Sequence, residues 1–210
     1  MSVSQPYRVA LVGTGGIAGI HAGDLSRMDG RAVISAAVDL DADRLDAFGA
    51  AWSVPNRYGS VEALLDDMPR AGRPDIVALC TPPARHAPAA IACLERGLTV
   101  LCEKPPALSL AEVDAIAAAE DAGDGRFAGI VQHRFGSGAQ TLRALVGGGT
   151  LGAPMTAVCH TLWFRPDDYF MVPWRGNWEA EGGGPTLGHG IHQIDLLLSI
   201  LGPWRSVIAV

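Results

Sequence analysis

The sequence predicts a doubly wound α/β fold with a parallel sheet, followed by the beginning of a second α/β domain. Three observations predict it. Val9-Ala10-Leu11-Val12 runs straight into Gly13-Thr14-Gly15-Gly16-Ile17-Ala18, a strand feeding a glycine-rich turn that opens a helix. A second apolar run, Val33 to Val38, ends in Asp39, 21 residues past Ala18. Short apolar runs then alternate with helical stretches, as a parallel sheet covered by helices on both faces requires.

The glycine turn is the firmest of these. Its first glycine allows the tight bend, its second lets the backbone approach a pyrophosphate, and the small Ala18 lets helix and strand pack closely. The first amides of the helix and its positive dipole end stabilise phosphates without a basic side chain. Asp39 stands where an acid would hold the ribose hydroxyls of an adenosine. Gly13, Thr14, Gly15, Gly16, Ile17, Ala18 and Asp39 are therefore candidate dinucleotide-binding residues. By its carboxylate, which repels a 2′-phosphate, Asp39 favours NAD, with NADP left open by the nearby Arg44.

The remaining elements follow in order. Ile17 to Met28 reads as the first helix, Asp41 to Trp52 as the second, and Asn56 to Tyr58 as a brief strand. Ser60 caps a short helix through Asp67, Arg73-Pro74 breaks the chain, and Asp75 to Cys80 is a buried strand. Thr81-Pro82-Pro83 ends that strand, and a helix from about His86 to Arg96 stops at Gly97. Thr99 to Cys102 is the next strand; Glu103-Lys104-Pro105-Pro106 leaves it. Ser109-Leu110-Ala111-Glu112 is a capping box for an alanine-rich helix ending near Gly123. Arg126 to Val131 reads as the last strand of this half.

The dinucleotide domain is taken as 1–125 and the second domain as 126–210. In the second, four of the five tryptophans lie past residue 160 and Gly182 to Gly184 form a cluster. Expected elements are a helix from Ala139 to Val146, a strand from Met155 to Phe164, an irregular stretch to Glu181, a helix from about Gly190 to Leu201, and a strand from Trp204 to Val210.

Composition bounds the function. Of the 210 residues 49% are hydrophobic and 18% charged, which fits a chain with a sizeable core and excludes disorder. A formal charge of −6 without a basic block argues against nucleic acid or an anionic membrane as partner and for a small molecule. Cys80, Cys93, Cys102 and Cys159 show no metal-like spacing and read as buried reduced thiols. With no leader pattern and no membrane-length apolar stretch, the expected location is cytoplasmic.

Thr81-Pro82-Pro83-Ala84-Arg85-His86, Glu103-Lys104-Pro105, and Gly182-Gly183-Gly184 followed by Gly190-Ile191-His192 and Asp195 come in a distinctive order. With the glycine turn, they make nearly the whole chain, Tyr7 to Val210, resemble the glucose-fructose oxidoreductase and inositol dehydrogenase (Gfo/Idh/MocA) family. Gln132-His133-Arg134-Phe135 is similar to its domain-crossing segment. The resemblance implies an N-terminal Rossmann domain, a C-terminal α/β domain, more chain past Val210, and homo-oligomers at full length.

It also assigns roles. Lys104 is placed at the nicotinamide and the reacting hydroxyl, where an ammonium polarises a carbonyl or lowers a hydroxyl pKa. Thr81, Pro82, Pro83 and Glu103 fall among the cofactor contacts, as does His86, whose main role is to begin a helix. His192 becomes the catalytic acid/base. Where the family often has an aspartate four residues before this histidine, the chain has Gly188. His189 is a partial substitute by spacing, and Asp195 is open between orienting His192 and capping the helix. A metal bound by His189, His192 and Asp195 is conceivable from spacing, but no metal is expected. The Lys104-Pro105 bond is open between cis and trans. Trp163, Phe164, Tyr169, Phe170, Trp174 and Trp178, with Arg165 and Arg175, are open between a carbohydrate pocket, core and an oligomer surface.

The expected function is a nicotinamide-dependent oxidoreductase, an enzyme that moves hydride between NAD(P) and a CH-OH group of a sugar, polyol or related compound. Two alternatives stand beside it: an NAD-recycling glycoside hydrolase of the same fold, and a non-catalytic cofactor-binding protein or fragment.

Overall fold

The computed structural model describes residues 5–208. The chain divides into two compact units, Met1–Ile130 and Val131–Val210.

The first unit is a six-stranded, all-parallel sheet in the order β3-β2-β1-β4-β5-β6. Its strands are β1 (Tyr7–Val12), β2 (Ala32–Val38), β3 (Asn56–Tyr58), β4 (Ile76–Leu79), β5 (Thr99–Cys102) and β6 (Arg126–Gly129). Because β6 is bonded to β5, it stays with the sheet, and the division falls after Ile130 rather than at residue 125. The strand order reverses direction between β1 and β4, so a crevice forms there at the carboxyl ends of the strands.

Helices α1 (Gly16–Ser26), α2 (Ala42–Ala51), α3 (Val61–Ala71), α4 (His86–Glu95) and α5 (Leu110–Asp121) cover the sheet. Alternate residues of β1 enter different cores: Val9 and Leu11 pack with Ala18 and Ala22 of α1 and with Leu45 and Phe48 of α2. Ala10 and Val12 pack with Leu64, Leu65, Ala90 and Leu94 on the other face. Both faces are covered, so the strands read as unbroken apolar runs. Ser35 is an extra residue in β2 where its pairing with β1 shifts register. Its hydroxyl reaches Val9 O at 3.3 Å, and its own carbonyl accepts from Asn56 Nδ2 at 2.9 Å.

Asp41, Ser60 and Ser109 each accept a first-turn amide of the helix they precede. Glu112 accepts from Leu108 N at 2.7 Å, one residue earlier than the usual capping-box partner. Helix α3 runs past the expected end at Asp67 because Pro69 sits near its last turn. The carbonyl that an amide at 69 would have engaged, Leu65 O, lies 3.5 Å from Arg96 Nη1.

The second unit holds α6 (Ser137–Gly147), α7 (Trp178–Glu181) and α8 (Ile191–Leu201), with 3-10 turns at Gln132–Phe135 and Asp167–Met171 and a π-helical turn at Thr186–Gly190. Arg143 Nη2 of α6 donates to Ser199 Oγ of α8 at 2.8 Å. Two expected strands do not form: residues 155–164 and 204–208 carry no strand, and 209–210 lie outside the described residues. A strand needs a ladder partner for its amides and carbonyls, and all six paired strands among the described residues belong to the first unit. The apolar side chains of the first segment lie open instead, with Met155 90% exposed.

Burial pushes the Cys80 and Cys93 thiols up to about 12 and raises that of Cys102 as well. Cys159, expected to be buried like them, is exposed, because its segment enters neither core.

Candidate functional site

The glycine turn lies against the end of β4. Gly13 has φ of +86°, and a Cβ there would stand 2.9 Å from the Cys80 carbonyl carbon and oxygen. Any side chain would therefore be both strained and blocked. At Gly15 and Gly16 a Cβ would meet no protein atom within 4 Å. Gly15 is the N-cap of α1, and no side chain caps this helix.

Asp39, at the end of β2, grips the turn. Its Oδ2 accepts the amide and the hydroxyl of Thr14, each at 2.8 Å, and its Oδ1 accepts Asp41 N at 2.9 Å. Burial alone would raise this carboxyl; the bonds from Asp41 and Thr14, with the Arg44 charge, hold it below the usual range. Arg44 Nη1 is 4.0 Å from Asp39, and Arg44 Nη2 is 3.1 Å from Asp41.

The loops after β4 and β5 meet through His86. This histidine is the first residue of α4 and fully buried, with Nδ1 2.8 Å from Pro105 O and Nε2 2.8 Å from Thr81 O. Burial lowers its pKa against the two carbonyls and Glu103, which act to raise it. The ring straps Thr81 to the Lys104-Pro105 turn, whose peptide is cis. Pro82 leads into a 3-10 turn, Pro83–Arg85, in which Pro83 is buried. The Thr81 hydroxyl is buried without a hydrogen-bond partner among the described residues.

Glu103 is 8% exposed. Its Oε1 accepts from His21 Nε2 of α1 at 2.8 Å, and its Oε2 accepts the Lys104 amide at 3.3 Å. Burial would raise this carboxyl too, but the His21 bond and charge, then Lys104, hold it below its ordinary value. His21 was invisible to motif reading. Its one signal was an imidazole on a helix otherwise built largely from glycine, alanine and isoleucine. Lys104 is the only lysine of the chain, every other basic position being arginine or histidine.

In the second unit, His192 of α8 is buried and stacks on His133, with ring centroids 4.5 Å apart and planes at 23°. Trp163 lies against His133, His189 and His192 at 5.6, 5.9 and 5.8 Å. His189 Nε2 accepts from Arg165 Nε at 3.1 Å, which leaves the ring proton on Nδ1. Arg165 and Arg175 both stand over the Tyr169 ring, at 5.0 and 3.9 Å from its centroid. Asp195, which spacing offered to His192, is taken bidentately by Arg134: Nε bonds Oδ2 at 2.7 Å and Nη2 bonds Oδ1. Gly188 lies in the π-helical turn, where a Cβ would meet nothing within 4 Å.

A cavity of about 310 Å³ in this unit is lined by Cys159, Thr161, Pro185, Gly190, Gln193 and Leu197 among others, with neither His189 nor His192 on its wall. Among the described residues no three His, Cys, Asp or Glu side chains are grouped to hold a metal ion, and no helix is long and apolar enough to cross a membrane.

Residues 7–128 match the model of an oxidoreductase family with an NAD-binding Rossmann fold, and residues 139–210 match the GFO/IDH/MocA C-terminal domain. The chain is 32% identical to a D-glucoside 3-dehydrogenase of Escherichia coli, over 95% of this chain and 55% of that protein. It is 30% identical to a myo-inositol 2-dehydrogenase of Thermotoga maritima, over 93% and 55%. The WlbA dehydrogenase of Chromobacterium violaceum, solved in complex with NADH and UDP-GlcNAcA, superposes with a TM-score of 0.88 at 29% identity, over 96% of this chain and 57% of that one. The chain thus spans about half the length of these relatives.

Proposed function

The chain belongs to the Gfo/Idh/MocA oxidoreductase family, and from that membership we propose that it moves hydride between NAD and a carbon bearing a hydroxyl or keto group of a sugar or polyol. One observation carries the reading. Gly13 is demanded by the protein's own packing, whereas Gly15 and Gly16 border open space that a Cβ would fill, as a backbone-lined cradle for a pyrophosphate should. The Thr81 hydroxyl at the neighbouring strand end adds a polar group with an unused bond.

In this reading the amides of Gly15, Gly16, Ile17 and Ala18 hold the phosphates. Asp39 both locks Thr14 and presents a carboxylate to the ribose hydroxyls, which favours NAD over NADP. Thr81, Pro82, Pro83, His86 and Glu103 shape the rest of the cofactor wall, and His86 acts by fixing that wall. The bound dinucleotide supplies the hydride acceptor. Lys104 polarises the reacting oxygen with its ammonium, and His192 takes up the hydroxyl proton. The aromatic and arginine side chains around Tyr169 suit the apolar and hydroxyl-bearing faces of a sugar. The WlbA complex and the glucoside and inositol relatives support a substrate of this class. Exposed apolar side chains such as Leu162, Phe164 and Trp204 fit a surface that other protein covers, in keeping with a homo-oligomer.

The test is an NADH titration followed by an oxidation assay with methyl glucoside and myo-inositol, read by the absorbance of the reduced cofactor. Binding of NADH with net NADH formation is expected. Glycoside cleavage without net NADH, or no binding of NADH, would sink the proposal.

A further inference from the structure

Two arginines of the second unit share one aromatic ring. Arg165 Cζ stands 5.0 Å from the centroid of Tyr169 and Arg175 Cζ 3.9 Å from the same centroid, and each also reaches a tryptophan, Trp163 at 5.2 Å and Trp174 at 4.6 Å. Arg165, Tyr169 and Arg175 are half-buried. Arg165 is held by its Nε bond to His189 Nε2 at 3.1 Å, and its Nη1 reaches Phe164 O at 3.4 Å. Arg175 Nε is buried without a hydrogen-bond partner among the described residues. The acids Asp167, Asp168, Glu179 and Glu181 are close in sequence, yet none of the ion pairs among the described residues includes either guanidinium. Glu181 Oε2 instead accepts the Gly176 amide at 2.5 Å.

Attraction to a ring holds a guanidinium but neither neutralises it nor takes up its N–H donors. Two such cations on one ring repel each other, and withdrawing both in part from water costs more unless an anion answers them. Covering the ring alone would need only an aliphatic stem, not two charges. The N–H fork of a guanidinium matches a carboxylate or a phosphate, whose oxygens accept it in parallel bonds. The pair also stands beside the residue read as the acid/base, since Trp163, on which Arg165 rests, lies 5.8 Å from the His192 ring. We propose that Arg165 and Arg175 form an oxyanion subsite, so that the sugar or polyol oxidised by this chain bears an acid group, a carboxylate or a phosphate. That group binds the two guanidiniums while a hydroxyl of the same molecule meets His192. The proposal deepens the hydride-transfer reading and rests on it.

Methyl glucoside, methyl glucuronide and methyl glucoside 6-phosphate share every secondary hydroxyl and differ only in the acid group. Each is titrated by calorimetry into the full chain saturated with NADH. At least one acid-bearing form should bind about tenfold or more tighter than the neutral one, as hydrogen bonds to a charged group would give, and which form does so tells a carboxylate site from a phosphate site. Arg165→Gln and Arg175→Gln should bring the ratio of acid to neutral affinity toward one, and Arg175→Lys, which keeps the charge without the fork, should retain part of it. Failure of both acid-bearing forms to bind the wild type tighter than the neutral one, or a full ratio kept in both Gln variants, would overturn the subsite. The same sugars are then supplied with NAD. NADH formed as efficiently from the neutral glucoside as from the acid forms would overturn this inference and leave hydride transfer standing. Tight binding of an acid form with no NADH formed from any of the three would overturn the hydride-transfer reading and leave the anion subsite alone.

Discussion

Asp39 and Thr14, 25 residues apart in sequence, are joined by two hydrogen bonds of 2.8 Å on a single carboxylate oxygen. The acid expected to face a ribose is therefore also the clamp that sets the glycine turn. Asp39→Asn keeps the shape but loses the charge, and should cost about 1.5–3 kcal/mol at neutral pH, the range for hydrogen bonds to charged groups. The folded carboxyl titrates below its unfolded value, so its contribution is full above the ordinary value near ~4 and is lost as pH falls through the folded one. Urea unfolding of both proteins across this range should show the gap closing in acid.

The two glycines of the turn should fail differently. Gly13→Ala meets both a positive φ and the Cys80 carbonyl, and a loss on the order of 3 kcal/mol is expected in denaturant unfolding. Gly15→Ala meets no protein atom and should cost only about 1 kcal/mol or less as a poorer N-cap. Its NADH dissociation constant should nevertheless rise about tenfold or more, as about 1.4 kcal/mol of lost binding would give. Equal NADH affinity in Gly15→Ala and wild type would remove the phosphate role from this turn.

His86 should make the first unit acid-sensitive. Its folded pKa is lowered, so the unfolded chain takes up the proton more readily. The stability it lends is full above the unfolded value near ~6.5 and is lost as pH falls through the folded value. Unfolding free energies measured from pH 7.5 to 5 should fall more steeply for the wild type than for His86→Asn, by up to about 1.4 kcal/mol per pH unit.

Gly188→Asp should fold, since a Cβ there has open space, with a melting temperature at or above that of the wild type because a helical glycine is replaced. A carboxylate four residues before His192 raises the pKa of an imidazole acting as base. The acid limb of the pH dependence of kcat/KM should move to higher pH. An unmoved limb would take the proton step away from His192.

Much of the first unit was legible because its determinants are local. Apolar runs, the caps Ser60 and Ser109, and the spacing from Ala18 to Asp39 each act within a few residues or one βαβ unit. What escaped was the long-range pairing. His21 meets Glu103 across 82 residues and Arg134 meets Asp195 across 61, and nothing in either neighbourhood marks the partner. The expected strands show the converse error at 155–164 and over the described residues 204–208. Their apolar composition expresses a propensity, and propensity without a neighbouring strand yields no ladder. The end of α3, expected at Asp67, lies at Ala71, and the carbonyl that Pro69 cannot engage, Leu65 O, has Arg96 beside it.

The single lysine at the end of β5 also fixes how this protein meets electrophiles. With every other basic side chain an arginine or histidine, acylating or aldehyde reagents that spare guanidinium groups find one side-chain amine, the one that the proposed function sets at the nicotinamide. If that proposal holds, inactivation by such reagents follows single-hit kinetics with protection by NADH, and coupling the protein to a surface through its side-chain amine anchors it at the proposed reaction centre.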